Sequence, residues 1–173
     1  MRELSLRDMT PGDWPAIASI YRAGIDSRLA TFETTVPEWA EWNVAHLATP
    51  RLVARKAEAI VGWAALSPVS TRAAYRGVAE VSVYVAPSAQ RHGVGRELLA
   101  ALIAAADRAD VWTLQATILA RNAVSIRLHE QCGFRRVGYR ERIAQLDGEW
   151  LDTVVFERRR PGGERPPVAA SGP

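Results

Sequence analysis

Apolar residues return along this chain in two rhythms. In residues 78–85 they alternate, Val81, Val83 and Val85 on one side and Glu80, Ser82 and Tyr84 on the other, the two-residue period of a strand. In residues 98–106 they return after three and four positions, so that Leu98, Leu99, Leu102, Ile103 and Ala106 share one helical face. Trp14, Ile17, Ala18 and Tyr21 repeat the helical spacing. Thr10-Pro11-Gly12-Asp13 before them supplies a cap, an early proline and a first-turn acid, which predicts a helix ending near Gly24. A loop over residues 25–36 follows, and Thr35-Val36-Pro37-Glu38 predicts a second helix carrying Trp39, Trp42 and Leu47.

Short strands are predicted at residues 4–7, 52–55, 60–66 and 112–118, the middle two joined tightly enough to pair as a hairpin. Residues 123–131 read as a helix closed by Cys132-Gly133, glycine being the usual residue where a helix ends in left-handed backbone. Residues 135–157 read as two strands about Asp147-Gly148, a strong hairpin turn. Neighbouring antiparallel strands followed by strand–helix crossovers predict an α/β (α+β) domain, a mixed sheet covered by helices.

Length, charge and cysteine usage narrow the class. The 173 residues suit one domain, expected over residues 1–157. Net charge is +3, and the excess sits in Arg158, Arg159, Arg160 and Arg165 against Glu164, within a Pro/Gly/Ala/Ser-rich stretch that predicts a disordered tail over residues 158–173. No basic stripe alternates with stacking aromatics, so nucleic acid is not an expected partner. Cys132 is the single cysteine and no His/Cys cluster has ligand spacing; neither a disulfide nor a metal is expected. Residues 1–9 hold no apolar leader core, and the longest apolar run, residues 98–106, is about half a bilayer span. The expectation is a cytoplasmic protein with no membrane partner.

The chemistry concentrates after the alternating strand, where Ala86-Pro87 leads to Gln90-Arg91-His92-Gly93-Val94-Gly95-Arg96 and an apolar helix. Two glycines one residue apart let successive amides converge on a ligand. The helix N-terminus adds about half a positive charge, and Arg91 and Arg96 can reach phosphates from the sides. A diphosphate suits this seat better than a single carboxylate. The stretch is not a P-loop, because no Gly-Lys-Ser/Thr follows, and not a dinucleotide fingerprint, because the third glycine is missing.

The stretch from Gln90 resembles the acetyl-CoA loop of the GNAT acetyltransferase superfamily, Gln/Arg-x-x-Gly-x-Gly/Ala, and residues 122–134 are similar to its Asn-x-x-Ala/Ser helix ending in Gly-Phe. Thr31-Phe32-Glu33, Arg72-x-x-Tyr75, Glu80-Val-Ser-Val-Tyr-Val, Ser125-x-x-x-His129-Glu130 and Gly148-Glu149-Trp150-Leu151-Asp152 resemble the phosphinothricin acetyltransferase branch, over residues 4 to about 157. The resemblance implies a mostly antiparallel sheet with helices on both faces. It also implies acetyl-CoA as co-substrate without a metal, and direct acetyl transfer to the α-amine of a small amino-acid-like molecule such as phosphinothricin, methionine sulfone or methionine sulfoximine. A homodimer is expected, with Trp150 and Asp152 near the subunit edge.

By the same resemblance Glu80 is the catalytic base, and His129 stands where many relatives carry a thiolate-protonating tyrosine; it either serves that role or orients the ligands. Val83, Tyr84 and Val85 form the cofactor edge, where relatives splay this strand from the next and a bulge is expected to expose backbone groups to pantetheine; the Tyr84 ring reads as packed aromatic surface. Gln90, Arg91, His92, Gly93, Val94, Gly95 and Arg96 hold the diphosphate, with Asn122 and Ser125 also facing the cofactor. Arg72 and Tyr75 suit an anionic acceptor and Phe32 walls its pocket. The chain departs from the branch at residues 22–25, 121–124 and 146–148, around the acceptor and the dimer edge. Two other functions fit less of this pattern: peptide or protein N-terminal acetylation, which needs an open groove, and a non-catalytic CoA-binding module.

Overall fold

The computed structural model describes residues 4–162. Within them run β1 (Leu4–Asp8), α1 (Trp14–Asp26), α2 (Trp39–Ala45), β2 (Arg51–Lys56), β3 (Ala59–Pro68), β4 (Val78–Val85), α3 (Val94–Arg108), β5 (Thr113–Leu119), α4 (Ala123–Gln131), β6 (Arg135–Leu146) and β7 (Glu149–Arg159). The strands form one seven-stranded sheet in the order β1-β2-β3-β4-β5-β7-β6. Only β4 and β5 pair in parallel, because α3 carries the chain back between them; every other neighbouring pair is antiparallel.

Alternation along the strands sends side chains to two cores. On one face α3 buries Leu98, Leu99, Leu102, Ile103 and Ala106 against Ala64, Leu66, Ala79, Val81, Ala116 and Phe156, and α4 packs beside it. Each such leucine contributes about 1.5–3 kcal/mol on leaving water. On the other face Ile17 and Ile20 of α1 and Trp42 of α2 pack on Val53, Trp63 and Ala65. Trp14, Trp39 and Trp42 lie within 5.5–5.8 Å of one another, and Trp42 meets Trp63 edge-on at 5.5 Å, locking both helices to the sheet.

Several boundaries differ from the pattern-based reading. Thr10 and Asp13 form the expected capping box, but around a short 3-10 turn, Pro11–Asp13, ahead of α1. Helix α1 continues past Gly24 to Asp26. Gly24 serves a close approach instead of a helix end: a Cβ there would stand 2.7 Å from Cδ1 of Tyr84. Helix α2 is capped by Glu38 in extended backbone, not by Thr35. Strand β7 runs beyond Glu157, and Arg158 forms a two-pronged bond with Asp107 of α3, at 3.0 and 3.1 Å, so these arginines belong to the sheet. The remainder of the expected tail, residues 163–173, lies outside the described residues.

Candidate active site

Strands β4 and β5 share only three paired positions, Val78 with Thr113, Ala79 with Leu114 and Glu80 with Gln115, before they part. The N–H of Ala86 donates to the Val61 carbonyl on the β3 side at 2.9 Å. Alternation therefore turns the main-chain groups of Tyr84 and Ser82 toward β3 and those of Val83 and Val85 toward the opening. Register with β3 is continuous from Ala79 to Val85, so the edge is exposed by the expected splaying of β4 from β5, without the bulge that was expected to accompany it. Gln90 lies at the far end of this edge, where its Nε2 donates to the Val85 carbonyl at 3.2 Å.

Beyond the edge the backbone turns sharply, with φ of +65° at Arg91 and +84° at Gly93, the residue preceding α3. Glu97 is the first residue of α3 whose N–H reaches back to a helical acceptor, the Gly93 carbonyl at 3.1 Å. The amides of Val94, Gly95 and Arg96 thus point out of the helix start, where the macrodipole favours anions. A Cβ on Gly95 would lie 3.4 Å from Leu128 and 3.6 Å from Val85, in contact with α4 and β4, so a larger side chain would crowd this helix start. His92, Arg91 and Arg96 are exposed around it. Converging amides, flanking guanidinium groups and an unpaired strand edge leading inward fit the diphosphate and pantetheine arm of a coenzyme A.

A cavity of about 330 Å³ opens where β4 and β5 separate. Glu80, Tyr84, Phe32, Asn122, Ser125 and His129 line it, together with Val83. The Glu80 carboxylate accepts from Gln115 Nε2 at 3.1 Å and Thr117 Oγ1 at 3.5 Å, neutral partners that orient it and leave its charge unmatched by any guanidinium contact in the described residues. Tyr84 stacks on Trp63 at 4.7 Å and meets Tyr21 at 4.9 Å. Burial pushes both phenols up, with Tyr84 well above the ordinary tyrosine range, so they stay protonated donors.

His129 is 5% exposed. Its Nδ1 donates to the Ser125 carbonyl at 2.8 Å, one helical turn back, and burial holds its pKa below the ordinary histidine value. A neutral ring with Nδ1–H committed to a carbonyl has an accepting Nε2. Asn122 accepts from the Ser125 N–H at 3.1 Å as the cap of α4, and donates through Nδ2 to the Leu29 carbonyl at 2.8 Å. The segment over the cavity is fastened twice more: Arg121 binds the Arg28 carbonyl at 2.7 Å and Glu149 at 2.9 Å, and Arg28 pairs with Asp147 at 2.8 Å. Phe32 packs on Leu119, Leu146 and Leu151.

Arg72 and Tyr75 do not join this cavity wall. They stand at a 3-10 turn, Ala73–Tyr75, where the guanidinium lies 5.8 Å from the centre of the exposed Tyr75 ring. Conversely, Tyr21, Thr117 and Thr153 line the cavity from outside any of the motifs, and Glu33 and Ser82 line it from within motif segments that assigned them no role. The signal for several of them was parity: Ser82 shares the face of Glu80, and Thr113, Gln115 and Thr117 alternate with the core residues Leu114, Ala116 and Ile118.

The edge and the cavity together describe a transferase that holds an acyl-CoA along one strand and a small acceptor against a carboxylate. Residues 14–134 match the model of the Acetyltransferase (GNAT) family, and the chain belongs to that family. It is 34% identical over 166 residues to the phosphinothricin N-acetyltransferase of Alcaligenes faecalis, covering 92% of this chain and 84% of the relative. The L-methionine sulfoximine/L-methionine sulfone acetyltransferase of Pseudomonas paraeruginosa is 32% identical over 159 residues, covering 88% of this chain and 92% of that protein. Among solved structures, a GNAT superfamily phosphinothricin acetyltransferase from Sinorhizobium meliloti in complex with AcCoA superposes with a TM-score of 0.83 at 31% identity, covering 92% of this chain and 89% of that one.

Proposed function

We propose that this chain is an acetyl-CoA-dependent N-acetyltransferase acting on the α-amine of a small amino-acid-like acceptor. The observation that carries the proposal is the position of Glu80, a carboxylate inside a small cavity at the point where the open edge of β4 begins. Relatives named for phosphinothricin and for methionine sulfone and sulfoximine acetylation support the acceptor class. Bound acetyl-CoA supplies an activated acyl group. Val83 and Val85 hold its pantetheine arm through main-chain groups, and Gly93, Val94, Gly95 and Arg96, flanked by Gln90, Arg91 and His92, hold its diphosphate.

An amine attacks only without its extra proton, and Glu80 receives that proton while Gln115 and Thr117 keep the carboxylate aimed. His129, neutral and held by Ser125, offers a second acceptor for an amine N–H or a relaying water. Phe32 closes the acceptor end, and Asn122 keeps the covering segment in place. A cavity of about 330 Å³ is of the size of a free amino acid, which favours a small acceptor over the extended chain that peptide N-terminal acetylation requires. No metal enters this scheme. The reaction belongs in the cytoplasm, where acetyl-CoA is available. A homodimer through the β6–β7 hairpin accounts for Val137, Tyr139, Ile143 and Trp150, which stand 43–55% exposed on an edge of the sheet.

Thiol release from acetyl-CoA, measured with a panel of free amino acids and their sulfone, sulfoximine and phosphinate analogues, tests the proposal. Amine-dependent release with small acceptors is expected. Tight acetyl-CoA binding with no turnover across the panel contradicts it and favours a binding module.

A further inference from the structure

Residues 27–38, between α1 and α2, belong to no helix or strand, yet Ala30, Thr31, Phe32 and Glu33 among them line the cavity. From Leu29 to Pro37 no main-chain to main-chain hydrogen bond holds this segment among the described residues. A wall of that kind opens easily unless side chains fasten it.

The fastenings converge from the β5–α4 turn and the tip of the β6–β7 hairpin. Phe32 packs on Leu119, Leu146 and Leu151, the last two flanking the hairpin turn. One terminal nitrogen of Arg121 donates to the Arg28 carbonyl at 2.7 Å, and the other donates to Glu149 Oε2 at 2.9 Å. Arg28 Nε pairs in turn with Asp147 at 2.8 Å. With φ of +57°, Arg28 has the left-handed backbone that a residue bearing a Cβ rarely adopts, so the chain leaves α1 through a strained residue gripped at both its main chain and its side chain. These four charged side chains are 36–65% exposed, where an isolated pair contributes little. Here the pairs are linked through one guanidinium, whose planar fork fixes the spacing of its two partners as a single ammonium cannot. None of Arg28, Arg121, Asp147 and Glu149 lines the cavity, so they act on an acceptor only through the wall.

Building on the acetyl-transfer reading above, we infer that Arg121 is a positioning residue for the acceptor: aimed by Glu149, it clasps the wall segment 28–33 to the hairpin tip and keeps the cavity in its binding shape. Loosening the clasp lowers the fraction of molecules whose wall is in place. Apparent acceptor affinity falls by that fraction, while saturating acceptor restores the wall. The signature is a raised acceptor KM with kcat nearly unchanged.

Arg121→Ala, Arg121→Lys, Glu149→Gln and the double variant Arg121→Ala/Glu149→Gln, made in the full chain, test this with methionine sulfone and with the fastest member of the amino-acid panel. For Arg121→Ala the acceptor KM is expected to rise about 5- to 20-fold, with kcat and the acetyl-CoA Kd within about twofold of the wild type. Lysine, unable to span both partners, recovers less than half of the loss. Glu149→Gln raises KM about 2- to 4-fold and adds nothing once Arg121 is gone. Trypsin cuts after Arg28 when the segment opens, and that cut is expected to quicken about fivefold or more in Arg121→Ala without faster cutting after Arg96 in α3.

A fall in kcat at constant KM, no change in either, full recovery by lysine, or independent losses at Arg121 and Glu149 overturn the assignment. So does an unchanged rate of cutting after Arg28. Absence of amine-dependent thiol release by the wild type across the whole panel, with acetyl-CoA still bound, instead overturns the acetyl-transfer reading; the cut after Arg28 then decides the clasp by itself.

Discussion

Replacing Glu80 by Gln isolates the proton transfer on which turnover depends. The Glu80 carboxylate accepts from Gln115 at 3.1 Å and Thr117 at 3.5 Å, and an amide at position 80 keeps one oxygen for those donors. The side chain therefore remains in place while its ability to take a proton is lost. A positioned general base contributes about 10²- to 10⁴-fold, or about 3–5 kcal/mol of barrier. With Glu80 present the ammonium form of the acceptor is usable and kcat/KM is flat below the amine's own pKa. Without it only the free amine reacts, and kcat/KM climbs about tenfold per pH unit toward that pKa. Thiol release assayed from pH 6 to 9 is expected to show a loss of about 10³-fold near pH 7 that narrows to about tenfold near pH 9. Parallel pH profiles for the two proteins, at any separation, refute the reasoning and leave Glu80 a structural carboxylate.

Other substitutions test the frame around this site. Gly95→Val inserts a branched side chain where a Cβ already comes within 3.4 Å of Leu128, and calorimetry is expected to show acetyl-CoA affinity falling by about tenfold or more with the fold intact. Gly24→Ala gains about 1 kcal/mol of helix propensity but drives a methyl to 2.7 Å from a Tyr84 ring pinned against Trp63, which costs about 1–3 kcal/mol; a net fall of a few degrees in thermal midpoint is expected. Asp13 is held at about 2 by its bonds to Arg7, at 2.7 and 2.8 Å, and to Thr10. A depressed carboxylate stabilises the fold above its unfolded value of 3.8 and loses that contribution as pH falls toward about 2. Asp13→Asn is accordingly expected to lower stability by about 1–2 kcal/mol at pH 7, discounted for the part-exposed guanidinium, and by nearly nothing at pH 2, as read by urea unfolding.

Local pattern carried most of the fold because its two periods are strong here. The α3 stripe from Leu98 to Ala106 and the alternation from Val78 to Val85 both correspond to buried faces in the structure. Element ends were less legible. Gly24 looks like a terminator, yet its role is set by a ring from β4, sixty positions away in sequence. Likewise Arg158 looks like part of a charged tail until Asp107 of α3 is placed beside it.

The cofactor edge could be read as a contiguous motif, since residues 83–96 follow one another along one strand and one turn. The acceptor cavity could not, because Thr31, Glu80, Thr117 and Thr153 converge from a loop and three strands. Arg72 and Tyr75 show the converse: motif spacing brings them together, and they meet at a short turn outside the wall of this cavity.

Amide hydrogen exchange resolved by residue, with and without acetyl-CoA, addresses the cofactor seat most directly. Slowing of exchange by tenfold or more at Val83, Val85, Val94, Gly95 and Arg96 is the outcome expected from a strand edge and helix start that both lack protein acceptors. Saturating acetyl-CoA that leaves those five amides unchanged would contradict the account.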